Sequence, residues 1–293
     1  CTYMRAESLL QLLQSVREQT LYPNEILIVD GSTNSETRIV LEENTFKNLT
    51  YFLVPKEYRG LTRQRNYGVD KASETSDMIA FVDDDTELTP NYFEELVRTF
   101  VADKTIFGVG GVALNENSWV LTEPNKQYNK YHFFQFDKFV YKEGKRNVVR
   151  NYLRLQSNLE PGKMLDYSHG RTCGFPLDGK IYKVDLLIGM SFAFRKIVFD
   201  SIQFSSYFEG YGLYEDADFS IRALQFGSNV INTKVQLNHY HDTSGRPNQY
   251  QYGKMVVRNG WYVWRTKNPT PTFTHQFKWD SITILLTLIR FSN

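Results

Sequence analysis

Two hydrophobic periods alternate along the first part of the chain, and this alternation restricts the fold more than any other feature of the 293 residues. "ESLLQLLQSVREQT" sets Leu9, Leu10, Leu12, Leu13 and Val16 at helical spacing. "EILIVD" is a short continuous apolar run, the mark of a strand buried on both faces. The pattern repeats as helix "SETRIVLEENTF", strand "YFLVP", helix "LTRQRNYGVDKAS", strand "MIAFVDDD", helix "PNYFEELVRTFVAD" with Pro90 in its first turn, and strand "FGVGGVAL". Strand and helix in turn, joined by short connections, predict an α/β fold: a doubly wound, mostly parallel sheet with helices on both faces.

From about 115 to 180 the alternation breaks. "NKQYNKYHFFQFDKFVYKEGKRNVVRNYLRL" is aromatic and basic and reads in part as helix. "SNLEPGKMLDYSHGRTCGFPLDGK" reads as loop, rich in Gly and Pro. The segment is an insertion that shapes a site, or an ordinary surface excursion. Alternation returns with the strand "DLLIGMSFAFRK", a helix from Glu215 to Phe226 closed by Gly227, and the strand "VINTKVQLNHYH". The tail from 246 to 293 reads as a helical extension. Its last segment, "DSITILLTLIRF", is too short to span a bilayer, and two readings stay open: a helix packed on the domain, or the start of a membrane-facing segment. The chain begins without Met and its first residues read as the end of a strand, so a further strand is expected upstream.

The net charge of +1 provides no field for nucleic acid. Cys1 and Cys173 have no metal-ligand spacing and fit a reducing compartment. No Walker motif and no dinucleotide fingerprint is present, so phosphates need a metal or basic groups such as Arg5, Arg63 or Arg65. In a doubly wound sheet, ligands bind beyond the carboxyl ends of the strands. Asp30 closes one strand; Asp83, Asp84 and Asp85 close another. Three adjacent carboxylates repel one another unless a cation or proton intervenes. In an extended segment Asp83 and Asp85 point the same way, one toward a metal and the other toward a ribose or a water. A second acidic cluster, Glu215, Asp216 and Asp218, opens the helix after "EGYG". Helix capping alone accounts for such acids at ~0.3–1 kcal/mol each, and Asp218 with Arg222 has the spacing of an ordinary surface pair.

In their order and spacing, "CTYMR", "ILIVDGSTN", "RQRNYG", "FVDDD", "GMSFAFRK" and "GYGLYEDADFSIRALQFG", followed by "LNHYH", resemble the family-2 glycosyltransferases. The resemblance covers roughly residues 1 to 245. It implies the GT-A fold, Rossmann-like, with a nucleotide-binding half at 1–112 and an acceptor-binding half at 113–245. It implies an inverting transferase that uses Mn²⁺ or Mg²⁺ and a nucleoside-diphosphate sugar, with UDP- or dTDP-sugars favoured. Hexosyl and rhamnosyl transfer are both open; the acceptor expected is a hydroxyl of a glycan or lipid-linked glycan in bacterial cell-surface polysaccharide synthesis.

Carried over by motif, Thr2, Tyr3 and Arg5 line the nucleotide pocket and Asp30 accepts a hydrogen bond from the base. Arg65 lies near the ribose or diphosphate, Asp83 and Asp84 belong to the nucleotide site, and Asp85 holds the metal. Met4 stands where Asn is common. Asp216 matches the family's catalytic base, and Gly210, Tyr211 and Glu215 fall on the acceptor side. Of the two histidines that share a strand face, His241 is favoured over His239 as the metal's partner, and Arg246 is a candidate diphosphate partner. The expected setting is cytoplasmic, with peripheral contact to the inner face of the plasma membrane through the C-terminal helix, and a homodimer. Two alternatives are a sugar-nucleotide nucleotidyltransferase and a non-catalytic nucleotide- or carbohydrate-binding protein.

Overall fold

The computed structural model describes residues 1–171, 173–241 and 248–291. Helix α1 (Ala6–Arg17) turns Leu9, Leu12, Leu13 and Val16 into the core, as their spacing requires. It is followed by β1 (Ile26–Asp30), α2 (Glu36–Glu43), β2 (Leu49–Leu53), a 3₁₀ turn at Lys56–Tyr58 and α3 (Leu61–Lys71). Then come β3 (Met78–Val82), β4 (Thr86–Leu88), α4 (Tyr92–Ala102) and β5 (Ile106–Ala113). The aromatic segment supplies β6 (Val120–Leu121), β7 (Phe133–Phe136), β8 (Phe139–Lys142) and α5 (Lys145–Tyr152). The remainder is β9 (Ile181–Val184), β10 (Ser191–Arg195), a 3₁₀ turn at Lys196–Asp200, α6 (Glu215–Ala223), β11 (Ser228–His239), α7 (Gln249–Lys267) and α8 (Phe273–Phe291).

Six strands form the central sheet in the order β3-β10-β5-β11-β4, with β9 also paired to β11. β3, β5 and β11, which follow α3, α4 and α6, run in one direction: β5 and β11 pair parallel, and β10 is antiparallel to both β3 and β5. β1 and β2 form a separate parallel pair, and Thr2 is bridged to Asp30 at its end. Strand alternation splits the core between the two faces. Ala193 of β10 joins Leu13, Tyr92, Leu96 and Phe100 of α1 and α4 on one side. Phe192 and Phe194 join Phe199, Phe204 and Phe219 on the other, where Phe204 stacks on Phe219 at 4.3 Å.

Three local expectations change. Pro90 lies ahead of α4, not in its first turn; its carbonyl accepts the Thr20 N–H, which ties the turn to the end of α1. α6 ends at Ala223, and Gly227 serves close packing: a Cβ there would lie 2.4 Å from both the Thr105 carbonyl and the Phe107 ring. The segment read partly as helix contains a hairpin, β7–β8, turned at Asp137 with φ +52°, before the short helix α5. Its period-two pattern is blurred because Phe133 and Val140 make the second face apolar as well, while Phe134, Phe136 and Tyr141 share the face that packs on Trp119.

The tail folds back on the domain. Trp264 of α7 is fully buried, stacks on Trp279 of α8 at 4.6 Å, and donates its indole N–H to the Asp166 carbonyl at 2.9 Å. On the opposite side of α8, Phe273, Phe277, Ile284 and Leu288 are exposed. No described helix is long and apolar enough to cross a membrane. Trp264→Ala should cost ~3–5 kcal/mol and Phe277→Ala within about 0.5 kcal/mol in urea unfolding; equal costs would mean the tail is not docked through the Trp pair.

Candidate active site

The first strand ends are tied together by their own polar groups. Asp30 closes β1 fully buried: Oδ1 accepts the Ser32 N–H at 2.7 Å and Oδ2 the Tyr51 hydroxyl at 3.0 Å. Gln64 of α3 donates to the Thr2 and Val29 carbonyls at 3.0 and 2.9 Å, which fixes the N-terminal segment against β1. Neither Gln64 nor Tyr51 stands out in the sequence, because an amide or phenol with a structural task has no local pattern.

The three aspartates after β3 separate by direction. They lie in a turn, not in an extended strand, yet ligand atoms of Asp83, Asp85 and His239 come within 4.8 Å of one another, as the alternation argument expects for the two acids. Asp84 points the other way. It is buried, accepts the Thr2 hydroxyl at 2.7 Å and pairs with Arg5 at 3.0 Å. Desolvation raises the Asp84 pKa, and the Thr2 hydrogen bond and Arg5 oppose the rise. Asp84 is therefore placed as a brace for the first turn, with Arg5 also 3.6 Å from Asp85. Asp83 keeps 37% of its side chain accessible, but desolvation pushes its pKa up to about 6 despite the pull of Arg65.

Arg65 of α3 is buried. Its side chain is 3% exposed, with the guanidinium hydrogen-bonded to Glu215, 3.5 Å from Asp83 and 3.2 Å from the Gly189 carbonyl. Three rings, of Phe81, Phe192 and Phe204, surround it at 5.7, 4.8 and 5.3 Å. Gly189 then reaches the second acidic cluster: its N–H donates to Asp216 Oδ2 at 2.8 Å, while Ala217 N–H donates to Oδ1 at 2.8 Å. A Cβ on Gly189 would meet Glu215 at 3.2 Å, the Asp216 Cβ at 3.3 Å and Arg65 at 3.4 Å, so glycine permits this approach. The Gly in "GMSF" is the sequence signal for it.

Glu215 and Asp216 open α6 after Tyr214, whose φ of +72° ends the preceding loop. Burial raises the Asp216 pKa, and the Gly189 and Ala217 N–H groups hold it back. Glu215 is buried, and its Oε2 has no hydrogen-bond partner among the described residues. Desolvation, reinforced by Asp216, pushes its pKa up to about 8 against Arg65. Asp218 does pair with Arg222, at 2.6 Å, but as a buried carboxylate and not as half of a surface pair.

The two histidines part company. His239 places Nε2 3.4 Å from Asp85 and Nδ1 2.7 Å from Glu116. Burial works against its charge, but the Asp85 and Glu116 carboxylates outweigh it and raise the pKa to about 9. His241 has its Nε2 2.9 Å from Glu116 and is grouped with Glu116 and His239, not with Asp83 and Asp85. Glu116 is absent from the sequence reading, where it falls at the point at which the alternation breaks. Among the other expected residues, Tyr3 is exposed, Gly210 takes φ +70° with its carbonyl accepting Leu61 N–H, and Tyr211 lies 6.1 Å from the Tyr252 ring. Arg246 lies outside the described residues.

The family model described as glycosyl transferase family 2 matches residues 1–158. The chain belongs to that family. It is 30% identical over 129 residues to a glucosyl-dolichyl phosphate glucuronosyltransferase of Haloferax volcanii, a match covering 42% of this chain and 39% of the relative. It is 36% identical over 110 residues to hyaluronan synthase of Streptococcus pyogenes, covering 36% and 26% respectively. The chain thus spans well under half the length of these curated relatives. Among solved structures, a mannosyltransferase from Pyrobaculum calidifontis in complex with GDP-Man and Mn²⁺ superposes with a TM-score of 0.54 at 14% identity, over 100% of this chain and 74% of that one. GalNAc-T7 with UDP, GalNAc and Mn²⁺ gives 0.53 at 16% identity, over 95% and 51%. The α/β GT-A fold expected from the sequence is the fold of this family-2 chain.

Because the folded state raises the Glu215 pKa from 4.5 to about 8, it binds the proton more tightly than the unfolded chain does. The resulting stabilisation is complete below the lower value and disappears as pH rises through the upper one. Denaturation at about pH 5 and about pH 9 should show wild type losing stability relative to Glu215→Gln across that window; parallel pH profiles would refute the shift.

Proposed function

We propose that the chain is a metal-dependent, inverting glycosyltransferase that moves a sugar from a nucleoside diphosphate to a hydroxyl of a glycan or lipid-linked glycan. One observation carries this reading: Arg65 and Gly189 join the donor-side carboxylate Asp83 to the helix that presents Asp216. Two acidic clusters far apart in the chain thereby form one site.

Each Asp216 oxygen accepts one backbone N–H and retains a lone pair for an incoming hydroxyl. Asp216 takes the proton of that hydroxyl as its oxygen attacks the anomeric carbon, on the face opposite the departing diphosphate. Burial makes the carboxylate more basic, and the two N–H bonds oppose that rise and aim it. Arg65 and Glu215 hold the start of α6 in register with Asp83.

Asp83, Asp85 and His239 fit a divalent cation: two carboxylates and an imidazole nitrogen converge within 4.8 Å. This mixed oxygen and nitrogen set suits Mn²⁺ better than Mg²⁺, which prefers oxygen throughout. When bound, such an ion supplies charge stabilisation to the leaving diphosphate. The donor class proposed is UDP- or dTDP-sugar, through Asp30 after β1; the buried position of Asp30 makes a nucleotide panel the deciding test. The names of the Haloferax and Streptococcus relatives support a lipid-linked or extracellular polysaccharide as acceptor class. The outward apolar stripe of α8 supports peripheral membrane contact. Membership of the family speaks against the nucleotidyltransferase alternative.

Calorimetric titration with UDP, dTDP and GDP, each with and without Mn²⁺, tests the reading. One nucleotide should bind only with metal, and Asp85→Asn should abolish that binding. Asp216→Asn should leave nucleotide binding intact and slow transfer by ~10²–10⁴-fold. Metal-independent binding, or an Asp216→Asn enzyme of full activity, would overturn it.

A further inference from the structure

Glu116 has no part in the proposed reaction, yet it holds the one histidine that reaches the donor-side carboxylates. It stands at the entrance to the aromatic insertion, beside Asn115. Asn115 clamps the backbone of His239 from both sides, its amide donating to the His239 carbonyl at 2.8 Å and its oxygen accepting the His239 N–H at 3.0 Å. Glu116 then takes the ring: its Oε1 lies 2.7 Å from Nδ1. A carboxylate at that distance accepts the proton of Nδ1, which leaves Nε2, the nitrogen that faces Asp85, as the one a cation would take.

The two contacts of the imidazole differ in kind. Two ligands on one ion with bonds of about 2.1 Å stand roughly 3.0–3.4 Å apart. Nε2 and the Asp85 oxygen are 3.4 Å apart, a spacing that one ion spans. Nδ1 and the Glu116 oxygen are 2.7 Å apart, a hydrogen bond with no room for an ion between them. Metal-bound histidines ordinarily give their second N–H to a carboxylate, which fixes ring orientation and tautomer.

We propose that Glu116 is a positioning residue for the divalent cation, acting through His239, so that the insertion which carries it helps to build the metal site. The inference rests on the metal-dependent reading above, and it places Glu116 outside the ligand set. His241, also on Glu116 at 2.9 Å, offers a competing arrangement: a separate site of two histidines and one carboxylate. The short Nδ1 contact disfavours it.

Mn²⁺ binding, followed by loss of the free-ion electron paramagnetic resonance signal, separates these arrangements without an activity assay. Glu116→Ala should weaken Mn²⁺ affinity by ~10–100-fold. Glu116→Gln should recover much of it, because an amide oxygen still accepts the Nδ1 proton. The Glu116 side chain is 40% exposed, so thermal unfolding of both variants should match wild type. Wild-type affinity in Glu116→Ala, with binding lost in Asp85→Asn, would overturn the role of Glu116 and leave the metal site standing. Mn²⁺ or Zn²⁺ binding that survives Asp85→Asn and disappears in His241→Ala would assign Glu116 to a site of its own, and also overturn the proposal. Unchanged Mn²⁺ binding in Asp85→Asn, with no second site found, would instead remove the metal-dependent reading on which the proposal stands.

Discussion

The buried guanidinium of Arg65 is the interaction on which the rest of the site depends. A charge this deep is tolerable only when it is paired and hydrogen-bonded, and removing one partner leaves the others uncompensated. Arg65 meets that requirement with Glu215, Asp83 and the Gly189 carbonyl, inside a cage of Phe81, Phe192 and Phe204. The same contacts keep Asp83 and Glu215 beside a cation while desolvation pushes both pKa values up. Under the proposed function, stability and chemistry share this one network.

The sheet explains why these groups meet. β10 enters antiparallel between β3 and β5. Its Phe192 and Phe194 fill the aromatic core beneath α6, and Gly189, two residues ahead of the strand, touches Arg65 and Asp216 together. The end of β3 supplies Asp83 and Asp85, and the end of β11 supplies His239. The two acids and the histidine therefore collect at strand ends, where ligands bind in sheets of this kind.

The first hundred residues were legible because their period is local: the apolar spacing of α1 and the continuous run of β1 each describe one element and its burial. The hairpin β7–β8 was not, since Phe133 and Val140 make its second face apolar beside the aromatic face of Phe134, Phe136, Phe139 and Tyr141, and so blur the alternation. Asp83, Asp85, Glu215 and Asp216 were visible as acids at strand and helix ends, and the structure brings the two clusters together through Arg65. The depth at which Arg65 is buried was not visible in the sequence, and His239, not His241, joins Asp85. Both depend on which way a side chain turns after the chain has packed.

By itself the sequence determined the alternation of helices and strands in the first part of the chain, the burial of its strands and the family to which the chain belongs. Each of these follows from hydrophobic periodicity or from short motifs read over a few neighbouring residues. Only the tertiary structure decided the partners of the charges. Arg65 and Glu215 are 150 residues apart, and Glu116 and His239 are 123 apart. Electrostatic pairing and desolvation act through space, so no local pattern records them until the sheet brings its strand ends together.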